Sequence, residues 1–529
     1  MPALIEGKWI APFWGASNSL IHGQDMLGMQ NTSIATYATL LPGLTNLTQR
    51  IRYYGFYMWL LEQYARTRGV DSISEFRRYM RRGELLLAFT MSHNYPDEKG
   101  VVGSRYAQEW LKKGEDLINI AAGADMENSN IYWQYSSGAF GQYYQGALSA
   151  IGLIAPSEKN SHILVCTEYG RSLAEMFESN INANIKDGYL EAIDQGSATI
   201  NELKDFGESF SLTAIVPYSE EWKFYIEMLF GKDLPTVNSE NIHTKFRVET
   251  ILLYLEYLNN RKHFTKAGTF PRSFHYRLWD TKEPYNKYIA CTGWHYYALN
   301  EFAHYSLETL LWTCLVELHK QGKDYLENFI RRCTDNITSK FKEICKNSDL
   351  QSLAFSAYAK KIYSDGFNPS LYSDYIEKKE EDDNAYDGAV RALHILALIY
   401  EHDRNSISEL NRYAHKYGMY RDGDVTELLI WINKYEDLEI TEFIHRLLLQ
   451  HVINRHIEVA MRKLRNRNEN TLKFVIEDNV MVPYGIIRPV WTGPRLRSLH
   501  QFLVDLSLIE KENDVLTELG KRILKEKLL

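Results

Sequence analysis

The sequence has few cysteines and no pattern among them. Cys166, Cys291, Cys314, Cys333 and Cys345 include no Cys-x-x-Cys pair, which argues against a zinc knuckle or a disulfide framework and for reduced thiols. There is no surplus of positive charge either: the formal net charge is −8. A protein that coats duplex nucleic acid draws its affinity from neutralising phosphates, so any such contact here has to be local. No apolar run approaches a membrane span, and the most apolar stretch, 392–400, is broken by His394. Residues 1–15 have no apolar core behind a basic start, so no secretory signal is expected and the chain is read as cytoplasmic, without membrane contact. Catalytic signatures are missing as well. There is no Gly-x-x-x-x-Gly-Lys-Ser/Thr loop, no Gly-x-Ser-x-Gly elbow and no His-Glu-x-x-His pair. Catalytic residues are therefore unknown, and no cofactor and no metal are called for.

What is present is ordinary globular material in quantity. The 529 residues are 45% hydrophobic and 24% charged, enough chain for more than one core. Aromatic residues reach 13%, with 36 tyrosines, which suits half-buried helix contacts or, alternatively, a surface on which bases stack. Apolar residues recur at helical spacing through most of the chain. A proline-free pattern over 47–66 predicts one helix, and others follow from Ser72, Glu220, Val248, Ala298, Gly388 and Thr426. Strand signals are confined to 162–166, 471–476 and 480–482. The acidic run Glu377 to Asp383 reads as a solvated connector. The expected fold is mainly α, with helical domains and two winged-helix-like elements. The expected division is 1–185, an N-terminal helical domain with one such element; 186–435, a central helical domain; and 436–529, a C-terminal winged-helix-like domain.

The winged-helix expectation rests on an internal repeat. Tyr143 to Ile154 ends Ala-Ile-Gly-Leu-Ile, followed by a polar tract, Ile163-Leu164-Val165-Cys166, and Thr167-Glu168-Tyr169-Gly170. Near the C-terminus, a segment from Pro494 reaches Leu506-Ser507-Leu508-Ile509, then a short polar turn, Val515-Leu516, and Thr517-Glu518-Leu519-Gly520. In each, a small residue lets the chain leave a helix, a hairpin follows, and a threonine caps the next helix. This order resembles the second half of a winged helix-turn-helix domain, whose penultimate helix commonly enters the major groove. The first such helix, 140–151, has glutamines and tyrosines but no basic residue. The second copy has Arg488, Arg495 and Arg497 at its entry, and the helical pattern before it adds Arg462, Lys463, Arg465 and Arg467; these are the expected nucleic-acid-binding residues, because arginine suits bidentate contact with guanine and phosphate.

The run Leu41-Pro42-Gly43-Leu44-Thr45-Asn46-Leu47-Thr48-Gln49-Arg50-Ile51-Arg52-Tyr53-Tyr54-Gly55-Phe56-Tyr57 resembles a motif of uncharacterised bacterial proteins that often sit in genomic islands of antiphage defence genes. Arg81-Arg82-Gly83-Glu84-Leu85-Leu86 and Gly100-Val101-Val102-Gly103-Ser104 continue the likeness, which covers roughly the first 180 residues. The resemblance implies a defence-associated role but names no reaction. The expected function is a non-enzymatic adaptor or sensor subunit of a prokaryotic defence complex, binding DNA or protein partners encoded nearby. The alternative is a helical enzyme of unrecognised type. Its one chemical hint is a pair of tetrads, Glu301-Phe302-Ala303-His304 and Glu442-Phe443-Ile444-His445, since Glu and His three apart share a helix face and two such motifs form part of a carboxylate-bridged metal site. His304 and His445 are expected to lie far apart, which would remove that idea.

Overall fold

The computed structural model describes residues 25–231, 242–259, 287–345, 353–467 and 471–528, with two short strands, Ala3–Ile5 and Lys8–Ile10. The fold is mainly helical, and no described helix is long and apolar enough to cross a membrane. The chain forms two compact units, each assembled from separated stretches. The first comprises Met1–Thr39 and Thr269–Thr492, the second Leu40–Gly268 and Gly493–Leu529. The unit boundaries fall neither near 185 nor near 435. Helix Ala183–Gln195 runs across position 185 and ends on a left-handed Gly196, and Ser197–Thr199 pairs with Leu117–Asn119 inside the second unit.

The first unit is organised on helix Ile289–Gln321, buried without interruption from Gly293 to Leu318. A helix covered on all sides normally carries only apolar residues, yet this one buries His295, Asn300, Glu301, His304, Glu308 and Glu317. Such groups are tolerated where hydrogen bonds replace water. Asn300 donates to the Met29 carbonyl and Ser33 Oγ and accepts from Val425 N. Glu317 accepts from Arg332 and Tyr386. Helix Ala385–Asp403 packs along it, and the strands Asp324–Tyr325, Val480–Pro483 and Phe474–Glu477 form an antiparallel sheet with Val480–Pro483 in the middle. The acidic run is not a plain loop. It finishes helix Pro369–Lys378 and enters a 3-10 turn, Asp382–Asn384, where Asp382 accepts from Trp312 Nε1.

The second unit surrounds helix Arg52–Arg68, buried from Arg52 to Leu61. That helix begins five residues later than its apolar spacing predicts. Thr45 and Thr48 bond each other's backbone and hydroxyl groups, which holds 45–48 in a turn, a local alternative to helix that threonine supplies. The aromatic surplus goes inside. Tyr53, Tyr57 and Tyr144 pack ring to ring, and Tyr189 stacks on Phe210 at 3.9 Å.

Both repeats lie in this unit, and they share the hydrogen bonds that end the first helix and cap the second. Helix Gln145–Ala150 runs out at Gly152, whose φ is 76°, and helix Leu496–Asp505 at Ser507, whose φ is 63°. Leu153 N–H returns to the Leu148 carbonyl at 3.0 Å, and Leu508 N–H to the Leu503 carbonyl at 2.8 Å. Ile154–Pro156 then pairs antiparallel with Leu164–Cys166; in the second copy the pairing shrinks to the single bridge Ile509↔Leu516. Thr167 Oγ1 donates to the Gly152 carbonyl and Thr517 Oγ1 to that of Ser507, both at 2.7 Å, and each hydroxyl accepts from the N–H three residues on. Fifteen residues separate the partners in the first copy and ten in the second, so the difference is confined to the hairpin.

The glycine after each cap is dictated by this geometry. A Cβ on Gly170 would lie 2.1 Å from the Leu153 carbonyl oxygen, and one on Gly520 2.1 Å from that of Leu508. Gly146 faces open space. Gly170→Ala and Gly520→Ala should each destabilise the second unit by about 2 kcal/mol or more, whereas Gly146→Ala should stabilise it by up to about 1 kcal/mol. Urea unfolding of the three variants checks this, and an unchanged midpoint for Gly170→Ala contradicts it.

Candidate functional site

The motif over 41–57 is a set of internal ties. Gly43, at φ 83°, lets the chain pass where a Cβ would meet Ile151 Cγ2 at 2.1 Å, and Tyr54 Oη donates to its carbonyl. Asn46 donates to the Gly493 carbonyl and accepts from Arg495 N. Arg50 is buried and donates to Asp505 at 2.6 Å, to the Lys99 carbonyl at 2.9 Å and to Glu98. Arg52 pairs with Glu221 at 3.0 Å and reaches the Ser211 carbonyl. Gly55 is required by the close approach of Tyr225 Oη and Phe177. The continuations behave alike. Arg81 donates to three backbone carbonyls, those of Ala124, Trp133 and Tyr135. Glu84 accepts from the hydroxyls of Tyr57 and Tyr132 and from the N–H groups of Ala139 and Phe140; burial still raises its carboxyl above the usual range, those four donors working against the shift. Asn46, Arg50, Arg52, Arg81 and Glu84 thus serve the fold.

One open surface borders this network. A cavity of about 540 Å³ is lined by Leu47, Val102, Arg105, Tyr132, Trp133 and Tyr143, among others. Trp133 and Tyr143 meet edge to face at 5.2 Å, and Trp133 Nε1 donates to Gln142. The helix of the first repeat starts here with a π-helical turn, Phe140–Tyr144, held by Glu84. The walls are aromatic and aliphatic, with Arg105 exposed at the edge and paired to Glu109.

The cations expected to contact nucleic acid are largely engaged. Arg462 is bound by Asp422 at 2.9 Å and by Glu458. Lys463 is buried, with its amine on the Asp25 carbonyl, so it is not a surface charge. The side chains of Arg465 and Arg467 lie outside the described residues. Arg488 is half exposed, 3.4 Å from Asp382. Arg495 is left-handed, at φ 61°, and donates to the Leu41 carbonyl at 3.0 Å. Arg497 is exposed on helix Leu496–Asp505. Arg462 to Arg488 belong to the first unit, Arg495 and Arg497 to the second.

The Glu-x-x-His tetrads part company. Glu442 is exposed and paired with Arg446 at 2.7 Å, and His445 lines a separate cavity of about 500 Å³ with Tyr325 and Asn479. Among the described residues two sets of three buried groups could hold a metal, His295 with His402 and Asp403, and Asp25 with His304 and Glu308; neither includes Glu442 or His445. Asp403 accepts from His295 at 2.9 Å and from His402 at 2.7 Å. In the other set, burial raises the Asp25 carboxyl, and it raises that of nearby Glu301 as well. Burial alone would lower the His304 imidazole, but Glu308, Glu301 and Asp25 push it up to about 9. Asp25, His402 and Asp403 carry no motif, and only their burial marks them.

Arg50 supplies a sharp test of the motif's role. Removing one member of a buried ion pair leaves the other without its counter-charge, at a cost of about 3 kcal/mol or more. Arg50→Ala and Asp505→Ala should each lower stability by about that much, and the double variant by at least about 1 kcal/mol less than the two combined. Additive losses in a double-mutant cycle of urea midpoints would show that the two side chains do not support each other. Comparison of the chain with known protein families, with characterised proteins and with solved structures returns no match.

Proposed function

We propose that the chain is a non-enzymatic adaptor or sensor subunit of a prokaryotic antiphage defence assembly. In this reading the second unit is its docking module, and the two repeats are winged-helix-like elements that bind a protein partner. One observation carries the choice of protein over DNA. The helices that would enter a DNA groove offer almost no positive charge. On the first, the exposed residues are Gln142, Gln145, Gly146, Ser149 and Ala150; on the second, Arg497 is the exposed cation. Phosphate neutralisation supplies most non-specific DNA affinity, and Arg462, Lys463 and Arg495 already serve internal partners. The aromatic cavity beside the first repeat suits a partner instead, since binding energy at protein interfaces concentrates on tryptophan, tyrosine and arginine in desolvated pockets.

The test is co-expression with the products of adjacent genes, followed by size-exclusion chromatography. A stable complex is expected, weakened about tenfold or more by Trp133→Ala with Tyr143→Ala while the urea midpoint of the free protein changes little. In parallel, anisotropy titrations at low salt should detect no tight binding to duplex or single-stranded DNA. Tight duplex binding that falls steeply with salt and is lost in Arg497→Ala would reverse the conclusion and make these elements DNA readers.

A further inference from the structure

We propose that Asp25, His304 and Glu308 bind one divalent metal ion, with Gln30 as a fourth donor, and that the ion fastens residues 25–30 to the long helix Ile289–Gln321. Three donors cluster, and the Gln30 side chain stands beside one of them. His304 Nε2 lies 3.0 Å from Glu308 Oε1 and 3.4 Å from the Gln30 side-chain amide, and one ligand atom each from Asp25, His304 and Glu308 fall within 4.8 Å of one another. Donors held at about 2.1 Å by one tetrahedral zinc ion lie roughly 3–3.5 Å apart; the two His304 separations match this, and Asp25, within 4.8 Å, closes in on the ion. The Gln30 contact sets nitrogen against nitrogen. An imidazole Nε2 that donates to Glu308 cannot also accept from an amide N–H, and rotating the amide by half a turn presents its oxygen instead.

The charge balance points the same way. Asp25, Glu301 and Glu308 are all buried, and so is Lys463. Once an ion replaces the proton on the His304 imidazole, three carboxylates against one ammonium carry the two negative charges that a divalent ion cancels, and uncompensated charge in such surroundings is expensive. The surroundings are also those of a metal ligand set, in which each donor is itself held. Asp25 accepts from the N–H groups of Gly28 and Gln30, and Glu308 from Val490 N. His304 Nδ1 is buried with no hydrogen-bond partner, and Glu301 Oε1 stands 3.9 Å away, fixed by Ser33 and Thr492. A metal-bound histidine hands its other N–H to a carboxylate. Glu301 is placed to receive it once Nε2 turns its lone pair to the ion. One imidazole with carboxylate and amide oxygens favours zinc, or manganese or iron in the divalent state, over magnesium or calcium.

The experiment uses the full chain purified without a metal-affinity tag, with metal content read by mass spectrometry and Tm read before and after chelation. About one zinc, manganese or iron ion per chain is expected, as is a Tm that falls on chelation and recovers with zinc but not magnesium. Asp25→Asn and His304→Gln should each lower the content about tenfold, and His445→Gln should leave it unchanged. Wild-type protein that carries less than about a tenth of an ion per chain, with a Tm moved neither by chelator nor by added zinc, manganese or iron, overturns the proposal, whether or not the variants fold. So does an ion that survives in His304→Gln and leaves in His445→Gln.

Discussion

A buried guanidinium holds the second unit together. Arg50 spans Glu98 and Asp505, which are far apart in the chain, and the contact joins the segment before the central helix to the second repeat. Ile51 N–H reaches the other oxygen of Asp505, and Asn46 binds Gly493 and Arg495 on either side of Pro494. Trp222 Nε1 adds a bond to the Leu506 carbonyl. Arginine is suited to such a role because its planar fork serves several acceptors without losing charge. Once Arg50 is buried, its acceptors are fixed, since an unpaired guanidinium in the core would cost more than the fold can spare. The C-terminal helices are therefore bound into the core laid down by residues 41–94.

The same constraint shapes the first unit from a different starting point. Helix Ile289–Gln321 is covered on every side yet rich in polar side chains, so the elements packed on it are those that bring hydrogen-bond partners. Ser33 and Met29 meet Asn300, Asp403 meets His295, and the segment ending at Thr492 brings backbone N–H groups to Glu301 and Glu308. Tyr296 donates to Asp424, which also caps helix Val425–Tyr435. Polar residues specify which neighbours fit, and the surrounding leucines and tryptophans supply the bulk of the stabilisation by leaving water.

Helical content and the repeat were legible because both are local. The exit residues Gly152 and Ser507, the capping threonines and the glycines behind them are read from neighbouring positions and appear where expected. Helix 47–66 was legible only in part, since the apolar spacing continues through a turn that Thr45 and Thr48 enforce. The long-range pairings had no local trace. Nothing near Asp25 announces that it meets His304, and nothing in Arg462 or Lys463 distinguishes a phosphate ligand from a side chain occupied by Asp422 or by a carbonyl. The two compact units escaped the sequence for a related reason. Each draws in a distant stretch of chain, and composition changes little where the chain passes from one to the other.

The motif over 41–57 works as an internal bolt between distant segments. Hydrogen exchange followed by mass spectrometry on wild-type protein and Arg50→Ala tests it most directly. The bolt predicts that amides in 52–60, 84–90 and 496–508 lose protection together in the variant, because these segments open as one cooperative unit. Loss confined to the residues around position 50, with 496–508 protected as in the wild type, would contradict it and leave the motif free for some other role.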